Sequence, residues 1–168
     1  MNTMERRFFL SLGAATLLSG CGFALRQAPN FAFTSLYVAV AESSPLGNAI
    51  KRSIAANGNV LVIKDAKLLD QAQAVLDILA DQREKVVVGL NTAGQVTEFQ
   101  LRVRIKFRLR TPAGKELIPE TEILQQRDIS FNESLALAKE SEEALLYRDM
   151  QTDIVQQLMR RIAAVKAL

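Results

Sequence analysis

The segment from Glu98 to Arg110 restricts the fold of this chain more than any other feature, because apolar and polar residues alternate along its whole length. Successive side chains of a β-strand point to opposite faces of a sheet, so the alternation predicts a strand with one buried face and one polar face. The predicted buried face consists of Phe99, Leu101, Val103, Ile105, Phe107 and Leu109. A sheet with one apolar face requires a second layer that covers it.

Two flanking segments predict antiparallel neighbours for this strand. Residues 74–90 carry apolar side chains at even-numbered positions in two stretches, and the turn Asn91–Gly94 connects them to the central segment. The apolar residues are Ala74, Leu76, Ile78 and Ala80, then Val86, Val88 and Leu90. Thr111–Gly114 predicts a second turn, after which Leu117–Phe131 continues as a less regular strand. Short turns of this kind join strands that are adjacent and antiparallel.

A first helix is predicted near the start of the domain. Ser44 is a suitable N-cap, Pro45 suits the first helical position, and Asn57–Gly58 supplies a left-handed stop. The helix lies between two short β-rich segments, residues 35–41 and 60–63. The three elements together predict a βαβ-like unit.

A second, longer helix is predicted from about Lys139 to Val165. Its apolar stripe is formed by Tyr147, Met150, Ile154, Leu158, Ile162 and Val165. The predicted fold class is therefore α+β, a two-layer sandwich in which two helices cover the apolar face of a mostly antiparallel sheet.

The N-terminal segment has the pattern of a bacterial lipoprotein signal. Met1–Gly20 combines an Arg6-Arg7 pair with a short apolar run, and its end, Leu18-Ser19-Gly20-Cys21, resembles a lipobox. We expect removal of residues 1–20, lipidation of Cys21, a tether over residues 21–33 and a single domain over residues 34–168. The alternative is that Cys21 is a buried or free cysteine.

Two details of this segment bear on export and destination. The Arg6-Arg7 pair also resembles a twin-arginine signal, so the general secretory and twin-arginine routes both stay open. Gly22 stands where an aspartate would resemble an inner-membrane retention signal. We therefore expect a protein anchored to the outer membrane through acyl chains, on the periplasmic side.

The composition disfavours an enzyme. The 168 residues include no histidine and one cysteine, so the commonest general base and the commonest metal ligand are missing. The sequence also lacks a Gly-x-Ser-x-Gly elbow and a glycine-rich phosphate loop. A net charge of +3 is too small to indicate nucleic acid. We expect no catalytic residues, no metal, no cofactor other than the acyl groups on Cys21, and no nucleic-acid partner.

Five cations share the polar face of the central strand, and we call them the basic row. They are Arg102, Arg104, Lys106, Arg108 and Arg110. A row of this kind suits phosphates or sugar acids, but carboxylates on neighbouring strands can also neutralise it.

The predicted strand pairing decides which cations of the basic row have partners. If the first hairpin pairs residues whose numbers sum to 185, Asp81 lies opposite Arg104 and Asp77 lies opposite Arg108. A sum of 226 in the second hairpin places Glu122 opposite Arg104 and Glu120 opposite Lys106. Arg102, with Arg83 beside it, and Arg110 then remain without carboxylates. Arg102 and Arg110 are the candidate anion contacts, and a salt-bridged, solvated face is the alternative.

Several segments taken in order resemble the LptE family of lipopolysaccharide-assembly lipoproteins. They are Cys21–Arg26, the helix from Pro45 to Gly58, Ala93–Leu101 and Leu137–Glu140. The sequence differs from many members at Ala24, where they carry histidine, and at Asn91-Thr92, where some carry a basic residue.

The resemblance implies a two-helix, four-stranded domain that plugs the outer-membrane barrel LptD. It also implies help with assembly of that barrel and with delivery of lipopolysaccharide to the outer leaflet. Lys139, in the family's Ala-Lys element, would contact a lipid A phosphate; the alternative is a surface lysine at the start of a helix. A second functional hypothesis is a free-standing, periplasm-facing lipoprotein that binds a lipid or anionic ligand.

Overall fold

The structure is a computed structural model that describes residues 29–168. The predicted signal segment, Cys21 and the first part of the predicted tether lie outside the described residues. No helix within the described range combines the length and hydrophobicity that crossing a membrane requires.

Five strands form one mixed sheet in the order β2-β1-β3-β4-β5. Their bounds are β1 Ser35–Ala39, β2 Leu61–Ile63, β3 Ala74–Leu90, β4 Val96–Arg110 and β5 Glu116–Ser130. β1 pairs in parallel with β2 and β3, whereas β3, β4 and β5 pair in antiparallel fashion. The expected four-stranded, mostly antiparallel sheet is therefore wrong in strand number and in direction at one edge. The parallel part exists because a helix carries the chain back between β1 and β2.

Two α-helices, α1 (Pro45–Ala55) and α2 (Ala136–Ala163), form the second layer. The hydroxyl of Ser44 accepts a hydrogen bond of 3.0 Å from the backbone N–H of Gly47, which confirms the predicted N-cap. Gly58, just beyond α1, has a φ of 71°, the left-handed conformation expected for a glycine there. α2 begins three residues earlier than predicted. Short 3₁₀ helices at Ala66–Gln71 and Glu133–Leu135 connect the larger elements.

The core lies between the apolar face of β4 and the two helices. Leu101, Val103, Ile105, Phe107 and Leu109 are each at most 2% exposed. The helices contribute Leu46, Ile50 and Ile54 from α1 and Met150, Ile154, Leu158 and Ile162 from α2, all similarly buried. This packing of two helices on one face of the sheet confirms the predicted two-layer α+β arrangement. Burial of each large side chain between the layers contributes about 1.5–3 kcal/mol to stability.

The pairing of β3 with β4 changes at a β-bulge. Pairs up to Ile78 and Phe107 follow the predicted sum of 185, but the next pair is Ala80 with Lys106. One extra residue, Leu79, therefore reverses the alternation of β3. Before the bulge, the even-numbered residues of β3 lie on the helix-covered face, together with the odd-numbered residues of β4. After the bulge, the odd-numbered residues of β3 lie on that face.

Because of the bulge, the cross-strand neighbours of Arg104, Asp81 and Arg102 differ from the predicted ones. Arg104 lies opposite Gln82, Asp81 lies opposite Ile105, and Arg102 lies opposite Glu84. Arg83 lies opposite Val103, on the helix-covered side of the sheet, so it is not beside Arg102.

The pairing of β4 with β5 is also offset from the prediction. Most pairs sum to 228, including Lys106 with Glu122 and Arg104 with Leu124. The predicted sum of 226 occurs only at Arg110 and Glu116, next to the turn. The extra residues lie around Pro119, where the register shifts. Because the offset is two residues from Thr121 to Ser130, those side chains of β5 stay on their predicted face. Ile118 is an exception, because it lies opposite Leu109, where Leu117 was predicted.

Replacement of Ile105 by alanine tests the role of the β4 face. Ile105 is 0% exposed, so we expect Ile105→Ala to lower the free energy of unfolding by about 2–5 kcal/mol in urea titration. The matched control is Leu124→Ala on the uncovered face of β5, where the side chain is 42% exposed. An equal loss in the two variants would contradict a core centred on β4.

Candidate functional site

One carboxylate, Asp77, organises one end of the basic row. Its Oδ2 accepts hydrogen bonds from Nε of Arg108 at 2.7 Å and from Nε of Arg110 at 2.8 Å. Asp77 is only 8% exposed. The predicted pairing of Asp77 with Arg108 is confirmed, whereas the prediction that Arg110 lacks a carboxylate is wrong. Alternate residues of one strand lie on the same face, which lets the two guanidinium groups share this carboxylate.

The protonation of Asp77 follows from this environment. Burial by itself raises the pKa of a carboxyl, but the hydrogen bonds and positive charges of Arg110 and Arg108 outweigh it, so the pKa of Asp77 is lowered. The same contact raises the pKa of Arg108. At this end of the basic row, the ionised carboxylate of Asp77 therefore already provides the counter-charge for Arg108 and Arg110.

The middle of the basic row is neutralised by β5. Arg104 Nε lies 3.7 Å from Glu122 Oε1, and Lys106 Nζ lies 3.5 Å from Glu120 Oε1. Both predicted ion pairs exist although the predicted register is wrong, because a shift of two residues turns opposite neighbours into diagonal ones. These side chains are about a third to more than half exposed, so each pair contributes little to stability.

Arg102 is the member of the basic row that makes no ion pair within residues 29–168, although Glu84 lies opposite it on β3. Its Nε donates to Oε1 of Gln100 at 2.8 Å, and no carboxylate of residues 29–168 lies within ion-pair distance of it. A neutral amide holds the guanidinium without cancelling its charge. Arg102 therefore keeps the capacity to bind an anion.

Lys139 lies at the start of α2, next to the end of β5. Its Nζ donates to Oγ of Ser130 at 3.0 Å and forms an ion pair of 2.8 Å with Oε2 of Glu142. The side chain is 19% exposed. Two of the three ammonium protons are engaged, which leaves one donor for an anionic group that approaches from solvent.

Lys85 is a second cation at this place, and sequence reasoning missed it. Its Nζ lies 2.6 Å from Oε2 of Glu143 and 4.4 Å from the centre of the Phe99 ring. Lys85 and Lys139 both line a cavity of about 140 Å³. Only the bulge brings Lys85 to this side of the sheet, and no signal in the sequence predicts the bulge.

The three predicted anion contacts do not form one site. Arg110 pairs with Glu116 at the first residue of β5, whereas Lys139 bonds Ser130 at its last. At about 3.3 Å per residue these ends are roughly 46 Å apart. The basic row also lies on the sheet face opposite to the helices. Any anion contacts of Arg102, Arg110 and Lys139 are therefore separate.

The family model described as lipopolysaccharide-assembly LptE matches residues 33–162. The chain belongs to the LptE family. An LPS-assembly lipoprotein LptE of Yersinia pestis (strain Pestoides F) is 32% identical over 171 residues, which cover 97% of this chain and 78% of the relative. The LptE family is non-enzymatic, so the expectation that this chain is not an enzyme is confirmed.

Solved structures agree with the family assignment. The solution structure of an uncharacterized lipoprotein B from Nitrosomonas europaea has a TM-score of 0.73 and 33% identity, over 85% of this chain and 91% of that chain. The crystal structure of the rare lipoprotein B from Shewanella oneidensis has a TM-score of 0.65 over 77% of this chain and 94% of that chain. At 23% identity, the second match supports the fold alone.

Substitution of Asp77 tests the ionic cluster. Asp77→Asn leaves two guanidinium groups together without their counter-charge, and we expect a loss of about 2 kcal/mol in the free energy of unfolding near neutral pH. Urea titration of the variant and of Asp81→Asn, an exposed control on the same strand, measures the effect. A loss in the control as large as that in Asp77→Asn would contradict a specific role for the cluster.

The stability difference between wild type and Asp77→Asn should depend on pH. Because the pKa of Asp77 is lower in the folded protein than its ordinary value of 3.8, its contribution is present above that value and is lost as the pH falls through the folded-state pKa. The stability difference between wild type and Asp77→Asn should stay constant from about pH 5 to 7 and shrink below about pH 4. A difference that grows on acidification would contradict the direction of the shift.

Proposed function

We propose that this protein is an outer-membrane lipoprotein subunit of the lipopolysaccharide transport and assembly complex. In this role it plugs an LptD-type β-barrel, assists assembly of the barrel and helps deliver lipopolysaccharide to the outer leaflet. The observation that carries the proposal is the LptE family match over residues 33–162, together with relatives named as LPS-assembly lipoproteins.

The anchor of the proposed subunit is the acylated N-terminus. Residues 1–20 are removed, Cys21 carries the diacylglycerol and N-acyl groups, and residues 21–33 tether the domain to the membrane. Several acyl chains provide stable anchoring because each buried CH₂ contributes about 0.8 kcal/mol. No other cofactor is required.

The shape and surface of the domain support the role of a plug. The interior of a barrel of this kind is polar, so a protein that fills it needs a surface of mixed charge. The basic row and the carboxylates of β3 and β5 supply such a surface along the uncovered sheet face. β3 has 17 residues and is about 56 Å long, more than the roughly 30 Å of a bilayer core.

The proposed lipopolysaccharide contacts differ in how available their charges are. Lys139 has a free donor beside Ser130 and Glu142, and Arg102 has no carboxylate partner in the described part of the chain. Arg110 shares Asp77 with Arg108, so an anion there competes with a buried carboxylate. We expect Lys139 and Arg102 to contribute more to lipopolysaccharide binding than Arg110 does.

Copurification tests the proposed partner. The acylated protein, extracted in mild detergent and recovered by affinity, should carry an LptD-type barrel in one-to-one amount, as identified by mass spectrometry. Cys21→Ser should remain in the soluble fraction, because it lacks the acyl chains. Recovery of the lipoprotein alone, with a lipid or anionic ligand bound, would favour the free-standing carrier.

Charge reversal at Lys139 tests direct lipopolysaccharide contact. Loss of one charge-assisted hydrogen bond is worth about 1.5–3 kcal/mol, so Lys139→Asp should weaken binding of purified lipopolysaccharide at least about tenfold. Lys67→Asp, at an exposed lysine of the first 3₁₀ helix, is the control. Unchanged binding by a folded Lys139→Asp protein would remove this residue from the site.

A further inference from the structure

A groove of about 870 Å³ runs between α1 and α2. Three arginines line it, one from each neighbouring element: Arg52 from α1, Arg83 from β3 and Arg148 from α2. All three are exposed. We call this feature the arginine groove.

The arginine groove carries positive charge that the described part of the protein does not balance. Its lining contains no aspartate or glutamate. Within residues 29–168, none of the three guanidinium groups has a carboxylate within ion-pair distance. The basic row shows the opposite arrangement, since four of its five cations have carboxylate partners. A concave surface with three uncompensated guanidinium groups is suited to an anionic ligand.

Neutral groups hold Arg83 in position. Its Nη2 donates to Oε1 of Gln151 at 2.7 Å, and its guanidinium carbon lies 5.5 Å from the centre of the Tyr147 ring. Tyr147 is itself fixed by a hydrogen bond of 2.9 Å from its hydroxyl to the carbonyl oxygen of Glu84. An amide and an aromatic ring orient the guanidinium without cancelling its charge, which reduces the entropy lost when an anion binds.

The remaining lining suits a polyhydroxylated ligand. Hydroxyl and amide groups come from Ser43, Asn48, Ser53 and Thr152, and these can exchange hydrogen bonds with sugar hydroxyls. Val155, which is 7% exposed, contributes an apolar part of the lining. The volume falls within the range of about 300–1,000 Å³ that small-ligand sites occupy.

We propose that the arginine groove is a binding site for phosphorylated saccharides. The guanidinium groups bind the phosphate, and the hydroxyl and amide side chains bind the sugar. The site is separate from the cluster at Lys139, because Arg148 follows Lys139 by nine residues of α2, roughly 14 Å along the helix axis. Only the natural source of the ligand, a glycolipid head group, rests on the proposed function.

The test uses the full acylated protein in a non-ionic detergent. Binding is followed by NMR through the Nε–Hε signals of ¹⁵N-labelled arginine, with glucose 1-phosphate, inorganic phosphate, methyl glucoside and a glutamate-rich peptide as probes. We expect glucose 1-phosphate to bind more tightly than inorganic phosphate, and methyl glucoside not to bind. Binding of the glutamate-rich peptide in preference to glucose 1-phosphate would overturn the proposal and assign the groove to a protein partner.

Variants locate the site. The triple substitution Arg52→Gln, Arg83→Gln, Arg148→Gln should weaken glucose 1-phosphate binding at least about tenfold, the effect of losing about 1.4 kcal/mol. Arg160→Gln, at an exposed arginine of α2 outside the groove, should change it less than about twofold. Arg148→Gln alone is the second variant if the triple one does not fold. Equal binding by wild type and either folded groove variant would overturn the proposal.

Two further measurements separate this site from the proposed function. Competition by purified lipopolysaccharide for bound glucose 1-phosphate would support the proposal and identify a glycolipid as the source. Binding of glucose 1-phosphate without such competition would support a site for soluble sugar phosphates. Copurification of a barrel tests the proposed function independently, because it does not depend on the sugar phosphate.

Discussion

The apolar face of β4 is the constraint on which the rest of the structure depends. Its buried side chains form one hydrophobic core with residues of α2, β3, β1 and α1. Because only one face of the sheet is covered, the polar side chains of β4 must lie on the other face. The core therefore also determines where the basic row is placed.

The β-bulge at Leu79 gives the two faces of the sheet their different chemistry. Without the extra residue, Arg83 and Lys85 would lie on the same face as the basic row. With it, Arg83 lines the arginine groove, and Lys85 contacts Glu143 and Phe99 beside Lys139. One inserted residue thus moves two cations from the uncovered face to the helical side.

Charge compensation distinguishes structural cations from those available to a ligand. Asp77 shows the structural case, in which two arginines share one buried carboxylate. The arginine groove shows the other, since Gln151 and Tyr147 orient Arg83 but leave its charge in place. Arg102 belongs with the second group, because its partner is the amide of Gln100.

The sequence by itself determined the features that depend on neighbouring residues: the alternation of β4, the Ser44 cap, the two helices and the resemblance to the LptE family. It also predicted the ion pairs of Arg104 and Lys106, because those pairs tolerate a shift of two residues. The residue patterns also indicated five β-segments and a βαβ-like unit, although the family resemblance implied four strands. Only the tertiary structure decided that these segments form one sheet in which β1 lies parallel between β2 and β3, and it also decided the reversal of β3 after Leu79 and the carboxylate shared by Arg110. Strand register depends on packing between residues far apart in the chain, and a bulge changes it by one residue with no local signal. The arginine groove has the same origin, because its three arginines come from three elements that only folding brings together.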